Sequence, residues 1–309
     1  MLLLRTMPNL EDVPANAAFR RYFYSKWGRE HCIIWGRSNR AEYLPFEQRL
    51  SIKAAWGGVE QYFVDERRVA VDDDSYLIIN DERKYGSLIR STRAVESFSI
   101  FFRPGFVAEV LAGASTPVER ALADGGSMRP MSVEFHEHLR PHDGTITPVL
   151  RYIRHHVGAG IEDEAWYEEQ LSFLLERMYK VHVGTVQFIE SLHPVRATTQ
   201  REIYRRIGLA TDFIQSNFHQ PLTIDDLAEA AHLSKYHFIR LFESIHGVTP
   251  FTYLQTKRAR TAYRLLQSTD LSREEVVVQT GFGHRSTMFR QLRRIGAVAT
   301  RSRHRVCHS

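Results

Sequence analysis

Cysteine is scarce: two residues, Cys32 and Cys307, stand nearly a chain length apart among 309. That excludes a disulfide framework or a thiolate zinc cluster and fits a reducing compartment. Long apolar runs are missing too. Every stretch of about 18 residues that could span a bilayer is interrupted by charge, and the opening MLLLRTMPNLED turns acidic too soon for a signal peptide. No glycine-rich phosphate loop, Ser/His/Asp arrangement or nucleophilic cysteine context stands out. The expectation is a soluble, cytoplasmic protein with no catalytic residues, no cofactor, no bound metal and no membrane partner. What is present is ordinary. At 43% apolar, 25% charged and 11% aromatic residues, the chain is neither collagen, nor a coiled-coil rod, nor wholly disordered. Its length suits two domains of about 100 to 200 residues.

Acidic residues are also missing from one end. Residues 1 to 195 hold 23 Lys+Arg against 27 Asp+Glu, a net of −4, whereas residues 196 to 309 hold 18 against 9, a net of +9. A basic module carried by a slightly acidic one makes a polyanion the first partner to test.

Between residues 30 and 103 the dominant period is two. HCIIWG, LSIKAAW, EQYFV, RRVAV, SYLIIN and ESFSIFF are separated by turn material such as Gly57-Gly58 and Asp72-Asp73-Asp74. Short strands at close spacing, with no helical pattern between them, predict an antiparallel barrel or sandwich. A short helix is expected at 106 to 113 and a loop from 114 to 146. Two amphipathic helices follow, TPVLRYIRHHV and EDEAWYEEQLSFLLERMYKVHV. Their apolar stripes must be buried, and the pattern leaves open whether helix 163 to 183 packs on its own barrel or on a second copy of the chain. Pro194 and its polar neighbours mark a linker at 191 to 202.

The C-terminal part reads as helix throughout. Thr223, with Asp226 three residues on, caps TIDDLAEAAHL; Ser234 caps KYHFIRLFESIHG, which stops at Gly247. Two short helices joined by a tight turn follow the helix-turn-helix plan. The plan returns about fifty residues later: Ser272 caps REEVVVQTGF, and HRSTMFRQLRRIG follows Gly283. The units span about 223 to 247 and 272 to 296, with one long helix between them. In the first recognition helix Phe238, Leu241 and Phe242 form the buried stripe. Ser234, Lys235, Tyr236, Ile239 and Arg240 face outward, with His237 at the margin. In the second the outward set is His284, Arg285, Ser286, Phe289 and Arg290. Such a helix fits the major groove, and an arginine fork suits the two acceptors of guanine.

Residues 205 to 305 resemble the DNA-binding domain of the AraC/XylS family of bacterial transcription regulators. The resemblance rests on LTIDDLAEAAHLSKYHFIRLFESIHGVTPFTYLQTKRARTAYRLL and on the run from Val276 that ends Thr280-Gly281-Phe282. It implies a monomer that lays both recognition helices into neighbouring major-groove segments of double-stranded DNA, with Tyr236, Ile239 and Arg240 at the positions that meet bases or nearby backbone. The family's order also implies an α+β chain of two domains. A cupin-like sensing and dimerisation barrel with following helices (1 to 190) precedes the all-α DNA-binding domain (203 to 305). The partners implied are an operator, a second copy of the chain, RNA polymerase and an unnamed small effector. The sequence departs from the family at Met288 and Leu292, and in the tail AVATRSRHRVCHS; Arg293 and Arg294 ahead of that tail, and Arg301, Arg303 and Arg305 within it, are left to neutralise phosphates. A degraded regulator, binding DNA mainly through its first unit, is one alternative that these departures raise.

The other alternative is a cupin-type metalloenzyme fused to a DNA-binding domain. His136, His138 and His142 supply a His-x-His pair, but it lies after the strands rather than on them. His155 and His156 point in different directions along a helix. Asp72-Asp73-Asp74 reads as an acidic turn before it reads as a calcium loop. Trp35, Trp56, Tyr62, Phe63 and Tyr76, at strand spacing, read as core.

Overall fold

In a computed structural model the chain divides into two compact units, Met1–Ala197 and Thr198–Ser309. The structure describes residues 1–65, 67–114, 133–191 and 197–296.

The first unit is a mixed α/β body built on one sheet. Its strands are β1 (Leu2–Leu4), β2 (Cys32–Gln48), β3 (Ser51–Trp56), β4 (Glu60–Val64), β5 (Arg67–Val71), β6 (Ser75–Ile79), β7 (Arg83–Phe101) and β8 (Arg140–Pro141). HCIIWG and ESFSIFF prove to be only the buried ends of β2 and β7. These pair antiparallel from Cys32 against Phe101 to Gln48 against Arg83, with register shifts at Ser38/Arg40 and Tyr43/Phe46. The middle of β2, Arg37 to Glu47, has no buried residue, so no alternation marks it as strand. Besides β2, strand β7 pairs with β3 along its C-terminal half and with β4 along its N-terminal half.

The expected barrel is not closed. The strand order is β1-β2-β7-β3-β6-β8, with β4 and β5 as a branch off β7. β5 and β6 follow one another through Asp72-Asp73-Asp74 without pairing. There Asp72 Oδ1 accepts from Asp74 N (3.1 Å) and Ser75 Oγ (3.3 Å). The acidic segment is a turn that its own carboxylate braces, and it leaves the sheet open at that corner.

Period two gives the sheet two apolar faces. Ile33, Ile52, Ile78, Phe98 and Ile100 point to one side, under the helices α2 (Phe106–Ala114), α3 (Thr147–Gly158) and α4 (Glu164–Ser191). Tyr167, Leu171, Leu174, Leu175 and Met178 of α4 are buried there, so the stripe of helix 163 to 183 packs on its own sheet. Cys32, Ile34, Ala55, Leu77, Ile79 and Phe101 point to the other side, into a second core that Phe23 of α1 (Ala17–Lys26) joins. Neither β1 nor α1 was expected from sequence. The stripe of α1 is weak, with Phe23 its one buried residue.

The second unit is all helix: α5 (Ala197–Asn217), α6 (Ile224–Ala230), α7 (Lys235–His246), α8 (Pro250–Ser268), α9 (Arg273–Gln279) and α10 (Arg285–Arg294). Helix α5 starts within the expected linker, because Ala197 to Glu202 carry no apolar stripe to announce a helix; residues 192–196 lie outside the described residues. There are two small cores. One gathers Ile207, Ile214, Leu227, Phe238, Phe242 and Leu254; the other gathers Ala259, Ala262, Val276, Phe282, Met288 and Leu292. Helix α8 supplies residues to both.

Candidate nucleic-acid interface

Helices α6–α7 and α9–α10 are two copies of one device. Thr223 N donates to Asp226 Oδ2 at 2.7 Å and Asp226 N donates to Thr223 Oγ1 at 3.2 Å; Ser272 N and Glu275 Oε2, with Glu275 N and Ser272 Oγ, repeat both distances. These reciprocal bonds satisfy backbone donors that a helix start leaves over, and they hold both carboxyls below their usual range.

Each first helix ends the same way. His232 and Gly281 both have left-handed backbone (φ 52° and 71°). Leu233 N donates to Ala228 O at 3.0 Å and Phe282 N to Val277 O at 3.1 Å, closing equivalent Schellman turns. The copies differ in what crowds the turn. A Cβ at Gly281 would lie 2.5 Å from His219 O, so glycine is required there by space as well as by φ, whereas His232 is exposed. Gly283 then adds one residue before the second recognition helix.

Recognition helices α7 and α10 begin at Ser234 and His284, N-caps whose side chains make no capping bond. Neither cap side chain therefore satisfies the backbone N–H groups at those starts, where the helix dipole favours negative charge. From the cap onward the burial sequence is identical: three exposed residues, one half-buried, one buried, one half-buried, one exposed. That aligns Lys235 with Arg285, Tyr236 with Ser286, His237 with Thr287, Phe238 with Met288, Ile239 with Phe289 and Arg240 with Arg290. Lys235 Nζ pairs with Asp225 at 2.8 Å and Arg285 with Glu274 at 3.2 Å. Each ion pair ties the head of a recognition helix to the first turn of the helix before it.

Arg240 and Arg290 are exposed and have no hydrogen-bond or ion-pair partner among the described residues. Tyr236 is 79% exposed. Ile239 and Phe289, expected outward, are half-buried: Ile239 leans on the first small core, and Phe289 on the second, with the Arg273 and Arg285 guanidinium groups 5.4 and 5.7 Å from its ring centroid. Both helices tilt this position toward the body because residues i and i+3 share a face, so Ile239 shares Phe242's side and Phe289 shares Leu292's. Met288 and Leu292 fill the buried places, so the departures from the family pattern leave α10 helical to Arg294. The exposed Arg293 and Arg294 lie at its end. Arg301, Arg303 and Arg305 lie outside the described residues. One exposed apolar residue escaped the sequence reading: Val278 of α9 is 76% exposed, inside a Val-Val-Val run that reads as core.

Helix α8 fixes one copy against the other. Arg258, buried on it, donates to Phe218 O (2.7 Å, Nε) and Gln220 O (2.6 Å, Nη2) just past the end of α5, the same segment that Gly281 abuts. On the first copy's side, His246 meets Thr211 Oγ1 at 3.0 Å, and burial pushes its imidazole down to about 4.

The histidines weighed for metal do not converge. His136 lies against His182 (ring centroids 5.6 Å), while His142 stacks at 6.2 Å on Trp56 and meets Thr147 Oγ1 at 3.0 Å. Among the described residues no group of three His, Cys, Asp or Glu side chains is placed to hold an ion. Tyr62 and Tyr76 are buried, Trp35 and Trp56 half-buried, and Phe63 exposed. No helix among the described residues is long and apolar enough to cross a membrane.

A protein family described as a helix-turn-helix domain matches residues 227–299. Over 134 residues the chain is 29% identical to YbfI of Bacillus subtilis, an uncharacterized HTH-type transcriptional regulator; 43% of this chain and 45% of that one are covered. Over 78 residues it is 32% identical to the bifunctional transcriptional activator/DNA repair enzyme AdaA of the same organism, covering 25% and 37%. The chain thus matches less than half the length of either relative. It is also similar, at 25% identity and a TM-score of 0.29, to a solved transcriptional regulator of Chromobacterium violaceum with an AraC-type DNA-binding domain. That match covers 33% of this chain and 88% of the other.

Proposed function

We propose that the chain, whose residues 227–299 match a helix-turn-helix domain family, is a sequence-specific transcription regulator of AraC type that reads double-stranded DNA with both α7 and α10. The observation that carries this is the equivalence of Arg240 and Arg290, two exposed, unpartnered guanidinium groups six residues after equivalent caps. A regulator that reads one site with two helices needs matched presentation of each. The capping boxes, the Schellman turns and the cap-proximal ion pairs provide it.

In this reading the bases are met by Tyr236, Arg240, Ser286 and Arg290. Ser234, Lys235, His237, His284 and Arg285 hold phosphates around the helix starts, and Ile239 and Phe289 support the contact from below. The N-terminal unit serves as a cupin-like sensing domain, the regulator works in the cytoplasm as a homodimer, and RNA polymerase is its protein target. No catalytic step is proposed. An effector in the sheet domain acts by binding one presentation of paired DNA-binding units better than another. Selection of bound sequences from a random DNA pool by the purified chain tests the reading. Two specified blocks about one helical turn apart are expected for each protomer; a single block would leave α10 without a reading role.

A further inference from the structure

Beside α3, the N-terminal unit holds an open trough of about 490 Å³, within the roughly 300 to 1,000 Å³ usual for small-molecule sites. One wall is the helix itself, which presents Arg151, Arg154, His155 and Gly158 at i, i+3, i+4 and i+7, a single helical face. The other wall is Trp35 of β2 and Glu96 of β7. The end of the helix rests on the indole, since a Cβ at Gly158 would lie 3.4 Å from the Trp35 ring.

Glu96, 5% exposed, organises the site. It accepts from Trp35 Nε1 at 2.7 Å, from Arg37 Nε and Nη2 at 3.3 and 3.1 Å, and from Arg154 through Nε and, at 3.1 Å, Nη2. Burial alone would raise its carboxyl, yet the Arg154, Trp35 and Arg37 donors hold it below the usual carboxylate range. The Arg154 guanidinium is fixed a second time, 4.2 Å from the Trp56 ring centroid. One guanidinium is enough to neutralise a buried carboxylate. Here two are bonded to it, and Arg151 and His155 stand exposed on the same helix face with no hydrogen-bond or ion-pair partner among the described residues. Three guanidinium groups, Arg37, Arg151 and Arg154, against the one Glu96 carboxylate leave the cluster with positive charge to spare.

We infer that the trough binds a small dicarboxylate, two carboxylates joined by a short apolar chain. One carboxylate meets Arg151, the other accepts a ring N–H of His155, and the spacer lies between them beside the fixed Arg154 and Trp35. Arg151 and His155 are about 6 Å apart along the helix, the rise over four residues. A compact anion such as phosphate meets only one end of that row, and a monocarboxylate leaves the other end empty. A dicarboxylate engages both with charge-assisted bonds and balances the excess of guanidinium over carboxylate. The inference rests on the sensing role proposed above and names the class of its effector.

Calorimetric titration of the full chain without DNA tests it, with glutarate and adipate as probes and pentanoate and inorganic phosphate beside them. At least one dicarboxylate is expected to bind one-to-one, roughly ten-fold or more tighter than pentanoate and phosphate. Arg151→Gln and His155→Ala remove exposed, unpartnered side chains, so both should melt with wild type. Each is expected to weaken dicarboxylate binding by roughly ten-fold or more. Failure of both dicarboxylates to bind the folded wild-type chain overturns the proposal. So does pentanoate or phosphate binding as tightly as the dicarboxylates, or undiminished dicarboxylate binding by either variant. DNA affinity measured on the same preparations separates the two readings: intact DNA binding without dicarboxylate binding sinks only this inference, and the converse sinks the regulatory reading.

Discussion

Arg240 and Arg290 hold the same place on two recognition helices, six residues past Ser234 and His284, each beside a buried anchor two residues back, Phe238 and Met288. If each reads a base, Arg240→Ala and Arg290→Ala should each weaken binding to the selected site by roughly 1 to 3 kcal/mol. Lys235→Ala should weaken binding to all DNA alike and lower the salt dependence by about one phosphate. Titrations at several salt concentrations, on selected and scrambled DNA, check both.

His232 and Gly281 share a left-handed turn but not its surroundings. Gly281→Ala must move the His219 carbonyl or open the turn, and a loss of about 2 to 4 kcal/mol is expected in thermal unfolding of the C-terminal unit. His232→Gly removes a side chain from strained backbone with nothing pressed against it. A gain of up to about 1 kcal/mol is expected, with DNA affinity unchanged.

His246 is neutral in the folded protein down to about pH 4, whereas an unfolded histidine takes up its proton near 6.5. Between those values the unfolded chain binds the extra proton, so stability falls as pH drops from about 6.5 toward 4. The loss is on the order of 3 kcal/mol at the lower end. His246→Gln should lose less stability than wild type across that window, as read from melting curves at pH 7 and pH 4.5.

Arg258 is one side chain bonded to two carbonyls at the end of α5. Arg258→Lys replaces two separate donor nitrogens, held in a rigid fork, by a single nitrogen on a flexible stem. Destabilisation of about 1.5 to 3 kcal/mol is expected, with a larger loss of affinity on the selected two-block site than on either block alone, since α8 would no longer set the two copies in register. Melting and binding on whole and half sites measure the two effects separately.

The tandem device was legible in the sequence because its parts are local. Thr223 with Asp226, Ser272 with Glu275, and glycine at 281 are short-range signals with short-range causes. What escaped depends on distant partners. The solvated middle of β2 is a strand because β7 pairs with it, and nothing in its own burial pattern says so. Barrel closure failed at a turn that Asp72 braces, a contact the composition DDD does not distinguish from any acidic loop. Lys53 went unnoticed because a lysine in LSIKAAW reads as the polar half of an alternation. It is buried because both faces of β3 are covered. The half-burial of Ile239 and Phe289 likewise comes from tertiary cores rather than from helix periodicity alone.

The most direct test of the account is sequence selection repeated with the Arg240→Ala and Arg290→Ala chains. Each variant should lose preference at one base pair in one block, a different block for each, while the rest of the selected sequence is unchanged. Uniformly weaker binding with every specified position intact would show that both guanidinium groups hold phosphate, and would contradict the paired-reader account.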